Sequence, residues 1–372
     1  MKFAVLGGSF DPVHIGHLML AEAALLAGCD RVIFVPAFHS PYKSEAQRDS
    51  AECRLELLLA AIGANRRWTV DACEIKRAGV SYTIDTLRDI QSRYFGEDKP
   101  ALILGDDVAA DFPNWKNAAE IAEIADLTIA RREQSAGENF PYPHKTLNNE
   151  VYKISSAEVR ALIRSGGAWQ QFVPDGARRI IERRGLYGAA GERGECDAPR
   201  VPRGLFLGGG VPPLDTIEDA VRSMLNVYRF LHSRNVALHC SDLALRWGLD
   251  ADTAYLAGIT HDMAKDIPDS EMIALAKKDG SPFSPLEIEK PAMLHGRAAA
   301  IMLEERFAVK DAAVIEAVRF HTTGIAGMGA LAKIVYLADK IEAGRTTVDP
   351  KLRELAFGPR ALTDLDELFE IV

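Results

Sequence analysis

The sequence predicts two domains of different class: an α/β domain with a doubly wound, mostly parallel sheet, followed by a separate all-α domain. Three observations support this prediction. The first half of the chain alternates short apolar runs with amphipathic stretches, as parallel strands connected by helices do. From about residue 214 onward, strand signals fade and helical periodicity dominates. Between the two halves, residues 187–204 are rich in glycine, proline and charge, which is typical of a linker.

Each element follows from its local pattern. The strand candidates are the apolar runs at 3–8, 31–37, 68–75, 101–107, 126–132 and 150–155. In the first half, helices are expected over 14–28, 52–65 and 83–94. In the second half, they are expected over 216–232, 236–248, 251–265, 296–308, 312–321 and 330–344. The elements divide the chain into domains of residues 1–188 and 214–372, joined by a linker at 189–213.

Composition restricts the classes of partner. A net charge of −9 over 372 residues argues against nucleic acid as the main partner, although local basic pockets for nucleotides stay possible. The five cysteines form no CxxC pair and are expected to be reduced thiols. No apolar run approaches the ~18 residues of a membrane span, and the N-terminus lacks the pattern of a signal peptide. We therefore expect a cytoplasmic enzyme without a membrane partner, and we leave homo-oligomerisation open.

The chain opens with FAVLGGSFDPVHIGHL, in which an apolar run meets two glycines, a proline and two histidines. The run predicts a strand and the residues after Pro12 predict a helix, so the motif lies on a strand-to-helix turn. Unpaired backbone N–H groups and the helix dipole favour an anion at such a turn. His14 and His17 share one face of the first helical turn and can be cationic beside phosphate. The motif predicts a phosphoryl-transfer site; the alternative is a capped helix with two incidental histidines.

The stretch GGSFDPVHIGH resembles the signature of the nucleotidyltransferase superfamily, which ends in His-x-Gly-His, and implies a Rossmann-like fold. A second stretch, ISSAEVRALIRSG at 154–166, resembles the late Ile-Ser-Ser-x-x-Ile-Arg motif of that superfamily. Ser155 and Glu158 have the spacing of a capping box, which predicts that a helix begins there. Ser156 and Arg160 are then expected to face the same anion from the opposite wall, because the arginine fork suits phosphate oxygens.

Three further stretches narrow the substrate. VPAFHSPYK (35–43), GVSYTIDTL (79–87) and LILGDDVAADFPNWKN (102–117) resemble bacterial nicotinate-nucleotide adenylyltransferases, and the resemblance covers nearly all of residues 1–188. It implies that the phosphate of nicotinate mononucleotide attacks the α-phosphorus of ATP and gives a dinucleotide and pyrophosphate. Mg²⁺ would travel with ATP.

The resemblance also implies roles for single residues. It assigns catalysis to His14, His17, Lys43 and Arg160, which would balance charge on the α-phosphate and the leaving pyrophosphate. It assigns substrate or ATP binding to Gly7, Gly8, Ser9, Phe10, Asp11, Ser81, Tyr82, Thr83, Gly105, Asp107, Trp115, Arg132, Ser155 and Ser156. The segment 81–83 and Trp115 would hold the nicotinate ring, since an aromatic face suits a flat heteroaromatic ring. Tyr42 and Asp106 depart from the family pattern of histidine and alanine, which leaves the role of position 42 open.

The helical half contains a spaced series of imidazoles and carboxylates. Its members are His232, His261, Asp262, His295, His321 and Asp339, each in or beside a predicted helix. Imidazole and carboxylate together suit a transition-metal centre with open positions. Scattered histidines alone are weak evidence, but the adjacent His261–Asp262 pair between an upstream histidine and a downstream aspartate is more specific.

The series resembles the HD-domain phosphohydrolases, and more closely their bacterial branch of symmetrical diadenosine tetraphosphate hydrolases. The matching stretches are RFLHSRNVA (229–237), HDMAKDIP (261–268), LHGRAAA (294–300), RFHTTGIAGM (319–328) and KIVYLADKIEAGR (333–345). Asn235 stands where glycine is expected. The resemblance implies a first metal on His232, His261, Asp262 and Asp339, and a second on His295, His321 and the bridging, catalytic Asp262. These would be two divalent or mixed-valence ions, preferably iron with manganese as an alternative.

Together, the two resemblances imply a bifunctional enzyme. Its first domain would form the dinucleotide, and its second would split diadenosine tetraphosphate into two ADP, with Lys265 and Arg345 steadying the polyphosphate. Two alternatives stay open for the helical domain. It could act on another nucleotide, because the HD fold serves many phosphoesters. It could also be a regulatory nucleotide-binding module without turnover, although such a module has no need for a complete ligand set.

Overall fold

The computed structural model describes residues 1–39, 49–94, 99–131, 140–150, 153–190, 211–345, 348, 350–358 and 361–371. The chain divides into two compact units, residues 1–196 and 197–372. The division falls inside the stretch that the sequence predicts to be a linker. No helix among the described residues combines the length and the apolar character needed to cross a membrane.

The first unit is built on a parallel sheet with the strand order β3-β2-β1-β4-β5-β6. The strands are β1 (Phe3–Gly8), β2 (Arg31–Pro36), β3 (Trp68–Val70), β4 (Ala101–Gly105), β5 (Asp126–Ala130) and β6 (Lys145–Leu147). β1 and β4 are central, and their apolar residues are buried because helices cover parallel sheets on both faces. The predicted α/β class with a doubly wound parallel sheet is confirmed.

Helices follow the strands in the alternation that the sequence predicts. They are α1 (Ile15–Leu26), α2 (Ala51–Ile62), α3 (Cys73–Arg77), α4 (Thr83–Arg93), α5 (Asp106–Ala109), α6 (Ala118–Ile124), α7 (Ser156–Ser165) and α8 (Asp175–Arg184). Gly176 lets α8 pack closely on α2, because a Cβ there would lie 2.0 Å from the carbonyl oxygen of Ala60.

Two predicted strands differ from the structure by more than two residues. β3 ends at Val70 instead of continuing to residue 75, because Oδ1 of Asp71 accepts a hydrogen bond of 2.8 Å from the N–H of Cys73 and helix α3 begins there. The sixth strand pairs residues 145–147 with β5, whereas the prediction was 150–155. Residues 150 and 153–155 form no strand, and residues 151–152 lie outside the described part of the chain. β6 has three residues, of which Leu147 is buried, so it carries too few side chains for a period-two pattern.

The second unit is helical over its described residues, which confirms the predicted class. Its helices are α9 (Leu214–Met224), α10 (Val227–Arg246), α11 (Ala251–Thr260), α12 (Asp269–Ala276), α13 (Pro285–Glu289), α14 (His295–Phe307), α15 (Ala312–Phe320), α16 (Ala330–Ile341), α17 (Pro350–Phe357) and α18 (Leu365–Ile371). The predicted helix over 216–232 is wrong as one element. It is interrupted before Val227, where the Asn226 side chain accepts a hydrogen bond of 3.1 Å from the N–H of Arg229 and caps a new helix.

Candidate functional site

The first candidate site lies at the carboxyl ends of the two central strands. β1 ends at Gly8, and its neighbours in the sheet are β2 on one side and β4, which ends at Gly105, on the other. The order of the strands reverses at this point, and ligands of doubly wound sheets bind in the crevice beside such a reversal. The loop from Ser9 to His14, which connects β1 to α1, therefore starts at the mouth of that crevice.

Three side chains from other elements hold carbonyl oxygens of this loop. Arg54 donates to Ser9 at 2.7 Å, Ser156 donates to Pro12 at 2.9 Å, and Arg160 donates to Asp11. A trans peptide places its N–H opposite its C=O, so the N–H groups of Phe10 and Val13 point away from these donors. The loop is thereby fixed in place, with these two N–H groups directed away from the side chains that support it, as an anion site on this loop requires.

Arg54 is the centre of this support, and the sequence prediction did not include it. Its guanidinium is buried and also donates to the carbonyl oxygens of Phe38 at 3.2 Å and Asp49 at 3.3 Å. A guanidinium stays charged when buried and can donate in several directions, which suits a group that ties three segments together. Arg54 lies in the amphipathic stretch that predicts α2. Hydrophobic periodicity identifies buried apolar residues there, but it does not identify a buried arginine.

His14 and His17 flank the start of α1. Their ring centroids are 3.7 Å apart, and the N–H of His14 donates a hydrogen bond of 3.1 Å to Nδ1 of His17. This hydrogen bond needs an Nδ1 without a proton, which assigns His17 the neutral tautomer with its proton on Nε2. In this arrangement His17 can offer its Nε2–H as a donor to an anion. Glycine at 16 gives the buried His14 ring room, because a Cβ would lie 3.0 Å from its Nδ1.

Ser155 caps α7, which confirms the predicted capping box: its hydroxyl accepts from the N–H of Glu158 at 3.2 Å, and Glu158 accepts from the N–H of Ser155 at 2.7 Å. α7 then carries Arg160 to a point where the guanidinium also lies 3.7 Å from the Asp11 carboxylate. The hydroxyl of Tyr187 donates to the same carboxylate at 3.0 Å. Tyr187 is absent from the sequence prediction because it lies far from every motif along the chain.

The segment proposed for the acceptor lies at the start of α4. Tyr82 is the N-cap residue of this helix and its side chain makes no capping hydrogen bond, while the Ser81 hydroxyl accepts from the N–H of Phe38 at 3.1 Å. Tyr82 and Trp115 are half-buried and pack against the same part of the core. The structure thus places Tyr82, Thr83 and Trp115 in one region, with a helix N-terminus that suits a carboxylate. Asp107 is exposed on α5, directly after Gly105 and Asp106.

Lys43 and Arg132, predicted to contact the substrates, lie outside the described residues. The same holds for Tyr42, whose departure from the family pattern leaves its role open.

The second candidate site brings together all six side chains of the predicted ligand set. His232 lies on α10 and Asp339 on α16, whereas the other four lie at the ends of α11, α14 and α15. The Nε2 atoms of the histidines approach the carboxylates at 3.1 Å (His232–Asp339), 3.8 Å (His261–Asp339), 3.2 Å (His295–Asp262) and 3.6 Å (His321–Asp262). Two groups have the spacing of a metal site: His232, His261 and Asp339, and His261, Asp262 and His321.

Backbone carbonyls orient three of the four rings. Nδ1 of His261 lies 2.6 Å from the carbonyl oxygen of Gly258, and Nδ1 of His295 lies 2.6 Å from that of Ala292. Nδ1 of His321 lies 2.7 Å from the carbonyl oxygen of Val318. In each case the carbonyl belongs to the residue three positions earlier. A carbonyl can only accept, so each Nδ1 carries the proton and each Nε2 lone pair faces the centre. This is the tautomer that a metal ligand needs.

Glu342 orients the fourth ring and was missed by the sequence prediction. Its Oε2 lies 3.3 Å from Nδ1 of His232, and its Oε1 accepts from the side-chain amide of Asn235 at 2.9 Å. Asn235 is the one departure from the family pattern in this motif. It thus fixes the Glu342 carboxylate, which in turn orients the predicted ligand His232. Glu342 lies one helical turn after Asp339, and a carboxylate at that spacing is a signal that could have identified it.

Most of the six predicted ligands are held in the protonation state that a metal ion needs, with neutral imidazoles and ionised carboxylates. Burial lowers the pKa of His261 to about 3 and lowers the pKa of His295 as well. Burial raises the pKa of Asp262 and Asp339, but neighbouring histidines outweigh it and hold both pKa values below the usual range. Burial lowers the pKa of His232, but hydrogen bonds to Asp339 and Glu342 outweigh it and raise that pKa to about 9. A metal at His232 therefore displaces a proton.

The donor set fits divalent metal ions. Nε2 of His261 is fully buried and has no hydrogen-bond partner among the described residues, which is costly unless the atom has another use. Four imidazoles and two carboxylates match ions such as iron, manganese or zinc better than Mg²⁺ or Ca²⁺, which prefer oxygen ligands.

Basic side chains surround this centre. Arg229 lies 3.0 Å from Oδ2 of Asp262, Lys265 lies 3.1 Å from Nε2 of His295, and Arg345 pairs with Asp339. Lys265 and Arg345 were predicted to contact the substrate, and the structure brings both to the ligands. Arg229 was not predicted. It lies in the same motif as His232, three residues earlier, and therefore on the same helical face.

Comparisons with known proteins support this division. Residues 5–162 match the cytidylyltransferase-like family and residues 229–344 match the HD domain. A "probable nicotinate-nucleotide adenylyltransferase" of Treponema pallidum is 39% identical over an alignment of 202 residues, which covers 50% of this chain and 99% of the relative. One of Thermus thermophilus, with the same description, is 38% identical over 188 residues, covering 50% of this chain and 100% of the relative.

A solved structure resembles part of the chain: a "predicted HD superfamily hydrolase involved in NAD metabolism" from Clostridium acetobutylicum, with 32% identity and a TM-score of 0.39. The match covers 43% of this chain and 82% of that protein. The identity and coverage of the Treponema and Thermus relatives establish the family of the N-terminal half. Through that half, which precedes an HD domain, the chain belongs to the family of bacterial nicotinate-nucleotide adenylyltransferases.

Proposed function

We propose that the N-terminal unit transfers the adenylyl group of ATP to nicotinate mononucleotide. The observation that carries this proposal is the loop from Ser9 to Pro12, whose carbonyl oxygens are held by Arg54, Ser156 and Arg160. The triphosphate would bind on the face opposite these side chains, with Mg²⁺ accompanying ATP. Because the donors are fixed in advance, they stabilise charge as it develops without first having to reorganise.

The reaction needs no covalent enzyme intermediate. A phosphate oxygen of nicotinate mononucleotide forms the new bond to the α-phosphorus, and the bond from the α-phosphorus to the bridging oxygen breaks, so that pyrophosphate leaves. Nε2–H of His17 donates to the phosphate oxygens, while Arg160, Lys43 and His14 share the remaining charge. Positioning and electrostatic stabilisation are the main contributions to phosphoryl transfer.

The acceptor site predicts a preference that can be measured. Backbone donors at the start of α4 suit the carboxylate of nicotinate, and Trp115 supplies a face for its ring. The amide of nicotinamide places a donor where the site also has donors, and such a mismatch costs about 1–3 kcal/mol. We expect kcat/KM to favour nicotinate mononucleotide by about 5- to 150-fold. Pyrophosphate release with each acceptor measures this, and equal values would contradict the proposal.

Variants at position 115 identify the source of the preference. Trp115→Phe keeps an aromatic face and should retain most of the activity, whereas Trp115→Ala should raise KM for the acceptor and leave KM for ATP nearly unchanged. A Trp115→Ala variant with an unchanged acceptor KM would show that Trp115 only packs against Phe112, whose ring centroid lies 5.3 Å away.

We further propose that the HD domain hydrolyses dinucleoside polyphosphates, with diadenosine tetraphosphate as the leading substrate. The observation that carries this proposal is the convergence of four Nε2 atoms on Asp262 and Asp339. His232, His261 and Asp339 would hold one ion, His295 and His321 a second, and Asp262 would bridge them. Bound divalent ions supply Lewis acidity and lower the pKa of water.

The surrounding charges favour a highly anionic substrate. The side chains alone are balanced: Asp262, Asp339, Glu342 and Asp266 contribute four carboxylates, and Arg229, Lys265, Arg345 and Lys340 contribute four cations. Two divalent ions would add positive charge to this balanced set. A ligand with several phosphate groups balances this excess better than a single phosphomonoester does. The basic side chains would hold the polyphosphate while a water oxygen adds to one of its two inner phosphorus atoms. The central P–O–P bridge then breaks and two ADP form.

The test uses the full chain with Mn²⁺ or Fe²⁺ and diadenosine tetraphosphate in ¹⁸O-labelled water. We expect ADP as the only nucleotide product, with one ¹⁸O atom for each pair of ADP molecules. Products AMP and ATP would refute symmetrical cleavage. Orthophosphate from a monoester, with no cleavage of the tetraphosphate, would favour another nucleotide as substrate. Nucleotide binding without turnover would favour a regulatory module.

A further inference from the structure

A buried ionic cluster lies beside the second half of the metal site. The Asp279 carboxylate accepts from Nε and Nη2 of Arg297 at 2.8 and 2.7 Å, and lies 2.8 Å from Nη2 of Arg319. The side chains of Asp279 and Arg297 are 6% and 9% exposed, so solvent screens this pairing little. We call Asp279, Arg297 and Arg319 the clamp.

The clamp joins two helix ends that carry predicted ligands. Arg297 lies two residues after His295, at the start of α14, and Arg319 lies two residues before His321, at the end of α15. Because both guanidinium groups bind one carboxylate, these helix ends cannot separate without breaking buried hydrogen bonds.

A glycine makes the same approach sterically possible. A Cβ on Gly296 would lie 2.7 Å from the carbonyl oxygen of Arg319, closer than real Cβ atoms come to backbone, and 3.1 Å from that of Val318. The backbones of α14 and α15 therefore touch at the residue that follows His295. As a result, Nε2 of His295 lies 3.0 Å from Nε2 of His321.

The clamp lies beside the predicted ligands of the second metal ion, His295 and His321, and not beside those of the first. In the part of the chain that the structure describes, its side chains bind one another and residues 281–287, while His232, His261 and Asp339 are held by other groups. A buried ionic cluster is weak evidence for stability, since apolar residues of similar volume often serve as well. Its directional bonds do fix distances, and here the fixed distance is that between two predicted ligands.

We propose that the clamp is a positioning device for the second metal ion: it sets the spacing of His295 and His321, and thereby the affinity of that ion, without touching substrate. This inference rests on the two-metal site proposed above. Groups that orient metal ligands typically change metal affinity by about 10- to 100-fold when they are replaced.

The experiment is a Mn²⁺ titration of the full chain. Calorimetry measures the affinity of each ion, and the spin-coupled EPR signal reports the formation of a manganese pair. In Asp279→Asn, we expect the second Mn²⁺ to bind about 10- to 100-fold more weakly, the first to bind as in the wild type, and the coupled signal to disappear at one equivalent of excess metal. Gly296→Ala should have the same effect, because its Cβ forces the two helix ends apart.

Glu218→Gln is the matched control. Glu218 is equally buried and pairs with Arg234 at 3.2 Å and with the hydroxyl of Tyr255 at 2.7 Å, away from His295 and His321. It should lose stability as Asp279→Asn does, yet bind the second ion with wild-type affinity. If Asp279→Asn fails to fold, Arg319→Gln provides the same test, since its side chain is 25% exposed.

Wild-type affinity for both ions in the clamp variants would overturn the inference, and so would equal weakening of both ions. A wild-type protein that binds fewer than two ions would instead refute the two-metal site. The two failures are therefore distinguishable.

Discussion

The hydroxyl of Ser156 provides a sharp test of the nucleotide loop. It donates one hydrogen bond of 2.9 Å to the carbonyl oxygen of Pro12. A hydroxyl has a single proton to donate, so in this arrangement Ser156 cannot also donate to a phosphate. We therefore predict a positioning role for Ser156, whereas the sequence motif predicts contact with the anion. The substitution Ser156→Ala separates the two.

The expected magnitude follows from that single bond. A neutral hydrogen bond contributes about 0.5–1.5 kcal/mol. If its full value is lost from the transition state, kcat/KM for ATP falls by about 2- to 12-fold, since about 1.4 kcal/mol corresponds to a factor of ten. Arg54 and Arg160 still hold the neighbouring carbonyls, which keeps the loss at the lower end.

The assay is steady-state pyrophosphate release with ATP varied, together with thermal unfolding. Ser165→Ala is the matched control, because Ser165 lies on the same helix and donates a similar bond of 3.1 Å to the carbonyl oxygen of Leu162. It should leave kcat/KM unchanged. A loss of more than about 100-fold in Ser156→Ala, with unchanged stability, would refute the positioning role, because only a bond to a charged group is worth that much.

Three further outcomes follow from named contacts. Tyr187→Phe leaves the buried Asp11 carboxylate with one donor fewer, and thermal unfolding should show a loss of about 1–3 kcal/mol. Glu342→Gln weakens the carboxylate that orients His232, and Mn²⁺ titration should show about 10- to 100-fold weaker binding of the first ion. Burial raises the pKa of Asp71, but Arg93 at 2.6 Å outweighs burial and lowers that pKa. The ionised Asp71 carboxylate therefore stabilises the fold at neutral pH, and this stabilisation is lost as the pH falls through the lowered pKa, below about 3.9. The Tm of wild type should therefore fall more steeply between pH 5 and 3 than that of Asp71→Asn, and parallel curves would contradict this assignment.

The elements that the sequence predicted well are those with a strong periodic signal. β1, β2, β4 and β5 are short apolar runs, and buried parallel strands have that pattern. The interruption before Val227 was missed because the apolar spacing continues across it, although Asn226 is a typical capping residue. β6 was misplaced because an edge strand with a single buried side chain has almost no pattern of its own.

The candidate sites divide in the same way. Residues within motifs, such as His261 and Asp262, were predictable because spacing along a helix or turn carries the signal. Arg54, Tyr187 and Asp279 were not, because each contacts residues that are distant along the chain. The partners are backbone carbonyls for Arg54, a carboxylate for Tyr187 and two guanidinium groups for Asp279, and none of these leaves a trace in the local pattern.

The backbone hydrogen bonds of three ligand histidines have a consequence for how metal and folding are related. His261, His295 and His321 each direct Nδ1 to a carbonyl oxygen within 2.7 Å, and these contacts belong to the polypeptide alone. The entropy of ordering the rings is thus lost when the chain folds, rather than when an ion arrives. The HD domain should therefore tolerate a chelator without unfolding, unlike small zinc domains whose fold depends on their ion. An ion can then leave and be replaced by another while the helices stay in place, so the metal carried in a cell would reflect the supply of ions rather than the history of folding.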